Sequence, residues 1–371
     1  MRSTGQDQQR QYSIWQKLHI DLPLLAGISA LLILGIFVVY SAGGQDMAMT
    51  IRHVKRVGIA FVVMFIIAQV PPLVYKKWAV PAFIIGLGLL VSVLLFGHVR
   101  NGAKRWLDVG FTLIQPSEIM KLFVPIMTAW FISQFNLPSK LIHILGAFIL
   151  VLIPTLLIAK QPDLGTSLLI ASSGIFVIFL AGASWKLIGT CGVLASAFAP
   201  VFWMFLMKDY QKQRVLTLLN PEQDPLGAGY HIIQSKIAIG SGGLQGKGWL
   251  QGTQSQLEFL PERHTDFIFA VFSEEFGLVG VTLLLLVYLA VVMRGLWIAT
   301  NAQQAFTKLL AGSITLTFFV YVFVNIGMVS GLLPVVGVPL PLVSYGGTSM
   351  VTLMAGFGIL MAISTRRRFI A

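Results

Sequence analysis

The 371-residue chain is poor in charged side chains and has a single cysteine. Asp, Glu, Lys and Arg make up 11% of it, whereas they make up about a quarter of an ordinary soluble domain. The lone Cys191 excludes an intramolecular disulfide and a thiolate metal cluster. The six histidines form no HExxH pattern, and the net charge of +12 is not accompanied by a soluble basic surface. Binding to nucleic acid is therefore not expected.

Apolar residues form 56% of the chain and occur in long runs. A run of about 20 residues is the length that an α-helix needs to cross ~30 Å of hydrocarbon. We therefore predict an all-α, polytopic membrane protein, a single domain over residues 1–371 with about ten transmembrane helices. The predicted spans are 22–40, 57–71, 79–97, 117–134, 143–159, 166–182, 186–206, 267–293, 309–329 and 343–364.

Lysine and arginine are unevenly divided between the two sides of this topology. If the N-terminal segment 1–19 is cytoplasmic, the inner segments hold twelve Lys and Arg, and the short outer segments hold seven. Short cytoplasmic loops are normally the more basic ones. We therefore predict that both termini are cytoplasmic and that the stretch 208–265 forms a large periplasmic loop.

This long loop shows signs of ordered structure. Apolar spacing over 230–239 predicts a short interfacial helix, and a Gly-rich turn follows at 240–248. The loop ends in PERHTDF, which brings Glu262 and Asp266 to the start of the eighth run. Asp266 has the position of a general base at the membrane surface, but Thr265 or Asp266 would equally serve as a helix cap.

Two adjacent carboxylates, Glu274 and Glu275, lie inside the eighth apolar run. Ionisable groups at this depth usually face a partner or a water-filled cavity. At 100° per residue, Glu274 falls about 80° from Asp266 and Glu275 falls opposite it. Glu274 is therefore the one predicted to face a cavity.

Three further motifs place charged residues on the outer side. In QPSEIMK, Glu118 and Lys121 share one helix face and can pair or line a cavity, and the alternative is Ser117 as a helix cap. In KQPDLGTS, Asp163 is a cavity residue or a cap. In RNGAKRW, Arg105 belongs to a phosphate clamp or to an ordinary basic loop. Outer cations run against the positive-inside tendency, which favours an anionic ligand such as a lipid diphosphate.

The last outer segment crowds Gly and Pro into membrane depth, from Asn325 to Ser349. Irregular backbone is tolerated there only where it is buried in protein or lines a cavity. We predict that it lines a cavity to which Asn325, Ser344 and Tyr345 add polar contacts.

The motifs QPSE, QPDLGTS, DPLGAGY, LPERHTDFIFA and SYGGTS, in this order, resemble blocks of the SEDS family (shape, elongation, division, sporulation). The resemblance spans nearly the whole chain. The segment GYHIIQSKIAIGSGGL and Val336 are similar to the elongation branch rather than the division branch. The resemblance implies ten helices in the bacterial inner membrane and a peptidoglycan glycosyltransferase that uses lipid II.

The resemblance also implies partners and a catalytic residue. The partners are a class B penicillin-binding protein, which is the transpeptidase, other proteins of the elongation complex, and membrane lipid. Asp266 matches the family's essential acidic residue and is the predicted catalytic base. A divalent cation, Mg²⁺ or Mn²⁺, is a candidate cofactor, with no ligands assigned. The predicted substrate-binding residues are Arg105, Glu118, Lys121, Asp163, Glu262, Ser344 and Tyr345.

Two other functions would use many of the same residues. Charges buried among helices also mark transport pathways, so a lipid II flippase remains an alternative. A non-catalytic membrane scaffold for the transpeptidase is the second, and it would leave Asp266 without a use. The polar residues concentrate in the outer layer instead of crossing the bilayer, which favours the polymerase.

The predicted orientation can be tested by labelling single cysteines in a Cys191→Ser background. Tyr230→Cys should react with a membrane-impermeant thiol reagent in intact spheroplasts, because the long loop is predicted to be periplasmic. Ser184→Cys should react only after the inner leaflet becomes accessible. The reverse pattern would overturn the orientation.

Overall fold

A computed structural model describes residues 18–100, 103–108, 110, 113–207, 209–224, 227–256 and 262–366. Most of the predicted N-terminal segment 1–19 lies outside these ranges. A π-helical turn at Phe202–Leu206 and a 3₁₀ turn at Pro221–Gln223 accompany the α-helices. The α-helices in these ranges are α1 (Leu22–Ala42), α2 (Met47–Gln69), α3 (Pro72–Phe96), α4 (Pro116–Ile132), α5 (Leu141–Lys160), α6 (Leu164–Leu180), α7 (Trp185–Val201), α8 (Asp209–Leu219), α9 (Ala228–Ser241), α10 (Thr253–Gln256), α11 (Ile268–Thr300), α12 (Ala305–Val329) and α13 (Thr348–Thr365).

The predicted apolar runs correspond in order to α1–α7 and α11–α13. Within the described ranges, six helices are long and apolar enough to cross a bilayer, namely α1, α3, α5, α11, α12 and α13. The chain is thus a multi-pass helical membrane protein, as predicted. The count of ten spans stays a prediction, because α4, α6 and α7 have only 17 residues each and α2 carries several charges.

Helix α2 begins at Met47, ten residues before the predicted run. Its first turns carry cations, including Arg52 and Arg56, which a search for apolar runs passes over. Asp46 caps the helix, since its carboxylate accepts a hydrogen bond from the Ala48 N–H at 2.8 Å. Because α2 packs along α13, Arg56 lies beside the start of α13.

The all-α prediction missed a small antiparallel sheet between α3 and α4. Side chains of successive residues in a strand point to opposite faces. On β2, the Lys104 ammonium donates hydrogen bonds to the carbonyls of Leu94 and Leu95 at 3.2 and 3.0 Å, which satisfies the end of α3. Arg105 is the next residue of β2, so its side chain points to the opposite face of the sheet. The strands, in spatial order, are β1 (His98–Arg100), β2 (Ala103–Asp108) and β3 (Leu113–Ile114).

The long loop packs back onto α11. The predicted helix at 230–239 is confirmed as α9, and the predicted Gly-rich turn follows it. Helix α11 is broken at Gly277, which has a φ of 61° and a ψ of −164°. Glycine adopts this backbone conformation readily, whereas residues with a side chain rarely do. The Gly-rich turn lies against this break.

One carboxylate joins three helices at the opposite end of the bundle. Asp21 caps α1 by accepting a hydrogen bond from the Leu24 N–H at 3.2 Å. It also accepts bonds from Nε and Nη2 of Arg294 in α11, at 2.9 and 2.8 Å, and from the Ser364 hydroxyl in α13 at 2.5 Å. Burial raises the pKa of Asp21, but the bonds from Arg294 and Ser364 outweigh burial and hold that pKa below its usual value.

Arg294→Ala should destabilise the fold by about 1–3 kcal/mol, because it leaves the buried Asp21 carboxylate without hydrogen bonds from its cation. Arg52→Ala is the matched control, since the Arg52–Asp46 pair is 3.9 Å apart and about half exposed. An exposed pair contributes less than about 1 kcal/mol. Thermal unfolding of the purified variants in detergent measures both effects. Equal melting temperatures for the two variants would contradict the role of Asp21 as an anchor.

Candidate functional site

Two adjoining cavities lie at the end of the bundle opposite Asp21. The larger has a volume of about 850 Å³ and the smaller about 140 Å³. Arg105, Gln115 and Glu118 line both cavities, which therefore form one site. Side chains from α2, β2, α4, α6 and the segment before α13 contribute to the walls. The site is built from parts that are distant in sequence.

Glu118 and Lys121 form a buried ion pair, with 2.6 Å between Oε1 and Nζ. The sequence left open whether they pair or line a cavity, and the structure shows both, since the two paired side chains line the smaller cavity. Among the described residues, the second oxygen of Glu118, Oε2, has no hydrogen-bond partner although it is buried. Ser117 is not the helix cap. Gln115 holds the cap position, and its Nε2 donates a hydrogen bond to the Ser117 hydroxyl at 3.1 Å.

Asp163 caps α6 and also contacts Arg105. Its Oδ1 accepts a hydrogen bond from the Thr166 N–H at 3.2 Å. Its Oδ2 lies 3.6 Å from Nη1 of Arg105 and accepts a bond from Nε2 of Gln115 at 3.3 Å. The Arg105 Nε–H also donates to the Gln161 carbonyl at 3.4 Å. Asp163 is therefore both a cap and a cavity residue, and Arg105 is fixed in one orientation at the cavity wall.

Asp266 lies in the turn before α11 and does not cap that helix. The cap position belongs to Phe267, and no side chain in the described part of the chain donates or accepts a cap bond there. The Thr265 hydroxyl instead donates to the carbonyl and the carboxylate of Glu262, at 3.1 and 2.6 Å. The capping alternative is therefore excluded for both residues. Glu262 itself is exposed at this turn.

The environment of Asp266 suits a base. Burial raises the pKa of its carboxyl to about 6, and the neighbouring Glu262 adds to the rise. The Oδ2 atom faces Gly337, which lines the smaller cavity, and a Cβ added to Gly337 would lie 3.4 Å from that atom. A carboxylate with a pKa near 6 is ionised at neutral pH and accepts a proton more readily than an ordinary aspartate.

Asn325 in α12 and Ser344 in the irregular segment between α12 and α13 hold the Asp266 turn in place. The Ser344 hydroxyl donates to the Thr265 carbonyl at 2.6 Å. The Asn325 amide donates to the carbonyls of Asp266 and Val338, at 2.8 and 2.7 Å. The structure thus places Ser344 behind the turn with its hydroxyl bound to backbone. The prediction that this segment lines a cavity is confirmed by Gly337 and its neighbours.

Arg56 was not predicted as a site residue, although α2 carries it to the larger cavity. Its guanidinium carbon lies 4.7 Å from the centre of the Tyr345 ring, which also lines that cavity. The Tyr345 ring contacts the rings of His53 and His264, with 5.7 and 5.8 Å between centroids. In the described ranges, Arg56 forms no ion pair with a carboxylate. The sequence feature that could have indicated Arg56 is the group of cations just before the second predicted apolar run.

Glu274 was predicted to face the cavity, but the structure places its carboxylate against the long loop. It is fully buried and accepts a hydrogen bond from the Lys247 ammonium at 2.7 Å. Glu275 accepts bonds from the Ser41 hydroxyl and from the Leu250 N–H, the latter at 3.2 Å. The prediction assumed a regular helix from residue 266 onward and could not anticipate that the loop folds back over α11.

The comparisons with known proteins agree with this architecture. The chain matches the family model of FtsW, RodA and SpoVE, described as cell cycle proteins, over residues 19–369. The chain belongs to this family. The match spans nearly the whole chain and confirms the family predicted from the motifs.

One curated relative in the family is the peptidoglycan glycosyltransferase MrdB of Escherichia coli K12, which is 58% identical over 98% of this chain and 99% of its own. Among solved structures, a chain from a peptidoglycan synthase complex has a TM-score of 0.82 at 31% identity and covers 95% of this chain and 99% of its own. The rod shape determining protein RodA of Thermus thermophilus has a TM-score of 0.71 at 27% identity, with coverage of 94% and 97%.

Proposed function

We propose that the chain is a peptidoglycan glycosyltransferase, which joins lipid II disaccharide units into glycan strands during cell elongation. The observation that carries the proposal is that Asp266, a carboxylate of raised pKa, faces Gly337 at the smaller cavity. Arg105 lines this cavity and also, with Arg56, the adjoining cavity of about 850 Å³. The name of the MrdB relative supports the proposal. The reaction takes place at the periplasmic face of the bacterial inner membrane.

The chemistry needs one base and one group that stabilises the leaving diphosphate. The 4-hydroxyl oxygen of an acceptor sugar forms a bond to the anomeric carbon of the donor, and its proton passes to Asp266. The bond from that carbon to the diphosphate oxygen breaks, and the lipid diphosphate leaves with the electron pair. Attack from the face opposite the leaving group inverts the anomeric centre. Both lipid substrates are confined to the membrane plane, which favours their encounter.

Positive charge at the cavity wall serves the leaving group. Guanidinium groups bind phosphate oxygens with strong, directional hydrogen bonds. Arg105 is held by Asp163 and by backbone carbonyls, so it is oriented before the substrate arrives. Arg56 lies on Tyr345 at the larger cavity and supplies a second cation. We assign Glu118 and Lys121 to the floor of the site, where they position the bound sugar and diphosphate.

A divalent cation, Mg²⁺ or Mn²⁺, is compatible with these residues. In the described part of the chain, no group of three or more His, Cys, Asp and Glu side chains is placed to hold a metal. Glu118 and Asp163 nevertheless both line the smaller cavity, and Oε2 of Glu118 has no partner there. Two carboxylates together with substrate phosphates are a common set of ligands for Mg²⁺. Such an ion would offset the negative charge that develops on the diphosphate.

The proposed partner is a class B penicillin-binding protein, with other proteins of the elongation complex. Support comes from the solved structure of a peptidoglycan synthase complex, whose chain has the same fold. The flippase alternative is less well supported, because the cations and carboxylates that line the two cavities are gathered at one end of the bundle. A scaffold would not require a half-buried carboxylate such as Asp266 that lacks a capping role.

Asp266→Asn should reduce polymerisation by about 10²–10⁴-fold, as is typical of a lost general base. The variant should still fold and bind the transpeptidase, because the side chain makes no capping bond that Asn would lose. The wild-type rate should rise with pH through a midpoint of about 6, since only the ionised carboxylate accepts the proton. Glycan synthesis from purified lipid II is measured together with the melting temperature.

Glu262→Gln is the companion variant for Asp266. It removes the neighbouring negative charge that raises the pKa of Asp266, so the midpoint should move to lower pH. The catalytic assignment would be abandoned if a stable Asp266→Asn protein synthesised glycan at a near-normal rate.

Arg105→Ala and Arg56→Ala should each raise the KM for lipid II by roughly tenfold or more, because a hydrogen bond to a charged group contributes about 1.5–3 kcal/mol. Arg52→Ala is the control on the same helix as Arg56, since Arg52 is exposed and pairs with Asp46. Initial rates at subsaturating lipid II provide the measurement. An unchanged rate with normal expression would remove that arginine from the site.

A further inference from the structure

The long loop is fastened to α11 through one fully buried carboxylate. The Oε1 atom of Glu274 accepts hydrogen bonds from the Lys247 ammonium at 2.7 Å, the Gln254 N–H at 3.0 Å and the Thr253 hydroxyl at 3.1 Å. The Ser241 hydroxyl lies at 3.5 Å. Lys247 also donates to the Thr253 hydroxyl at 2.7 Å. The donors come from the end of α9, the Gly-rich turn and α10, so one side chain gathers three parts of the loop.

The same loop supplies hydrogen-bond partners to the backbone of α11. In an uninterrupted helix, the carbonyls of Glu274 and Glu275 would accept hydrogen bonds from the N–H groups of Leu278 and Val279. The break at Gly277 separates these partners. At membrane depth each of the four groups needs another partner within the protein.

The Gly-rich turn supplies all four partners. The N–H groups of Lys247 and Gly248 donate to the two glutamate carbonyls, both at 3.0 Å. The carbonyls of Gly243 and Leu244 accept from the two freed N–H groups, at 3.0 and 3.1 Å. The turn is thus inserted into the hydrogen-bond ladder of the helix. Moving the turn away would leave two carbonyls and two N–H groups without partners.

The short segment of α11 before the break connects this insertion to Asp266. It runs from Ile268 to residue 276, and residues 268–275 are all buried. The eight residues from Asp266 to Glu274 correspond to ~12 Å along a helix axis. At its outer end the segment is held by the bonds from Asn325 and Ser344, and at its inner end by the loop. The placement of Asp266 therefore depends on both attachments.

We propose that Glu274 and Lys247 are positioning residues for the transfer reaction: they latch the Gly-rich turn into the break of α11 and thereby hold Asp266 at the cavity. This inference rests on the proposed role of Asp266 as the base. The latch acts through the position of α11, because neither residue lines the two cavities. A cation is needed at position 247, since a buried carboxylate is costly to leave without one.

Lys247→Met should reduce kcat by about tenfold or more and leave the KM for lipid II within about twofold. The reason is that the arginines proposed to bind diphosphate lie elsewhere, whereas the base is displaced. Lys247→Arg should restore most of the rate, because it returns a donor cation to Glu274. Lys212→Met, in α8 of the same loop and outside the latch, is the matched control.

Hydrogen exchange of the full chain without substrate separates the latch from the chemistry. Peptides covering 242–248 and 268–279 should exchange faster in Lys247→Met than in the wild type and in Lys212→Met. Faster exchange with unchanged kcat would overturn the positioning role while leaving Asp266 as the base. Equal loss of activity in Lys247→Met and Lys247→Arg, with a large fall in melting temperature, would also overturn it by showing a purely structural role. An active Asp266→Asn variant would instead refute the proposed function.

Discussion

Hydrocarbon offers no hydrogen-bond partner, so every backbone N–H and C=O group at membrane depth has to find one within the chain. This constraint explains the two irregular regions of the fold. At the break of α11 at Gly277, the Gly-rich turn of the loop forms the hydrogen bonds that the helix lacks. In the segment after α12, the side chains of Asn325 and Ser344 form hydrogen bonds with the backbone. In both places a departure from regular helix is tolerated because another part of the chain replaces the lost bonds.

Buried charges are mostly paired for the same reason, and Asp266 beside the smaller cavity departs from this pattern. Asp21 is paired with Arg294, and Glu118 with Lys121. Asp266, in contrast, has no ion-pair or side-chain hydrogen-bond partner among the described residues, and it lies behind the wall of the smaller cavity. Proteins depart from full satisfaction of polar groups mainly at functional sites. The unpaired carboxylate is therefore better explained by a ligand that visits the cavity than by stability of the fold.

The sequence predicted the helices of this fold better than the tertiary contacts between them. Apolar runs located the helices because the length of a span is a local property. They missed the start of α2, where Arg52 and Arg56 interrupt the apolar pattern, and they missed the small sheet that orients Arg105. Glu274 was misplaced because helical spacing contains no information about a loop that folds back. The convergence of α2, β2 and α4 on one cavity is a tertiary property that residue spacing does not encode.

Asp163 and Asp266 occupy the same kind of place in the sequence, directly before an apolar run, and the structure separates their roles. Asp163 accepts bonds from Thr166 and Gln115 and lies against Arg105, so its lone pairs are largely occupied. A carboxylate so engaged holds the Arg105 guanidinium in place. Asp266 is half-buried and accepts no such bonds from the described residues, and its desolvation, with Glu262 nearby, raises its pKa to about 6. Two aspartates with the same sequence context thus divide the work, because only one of them is used by the helix that follows it.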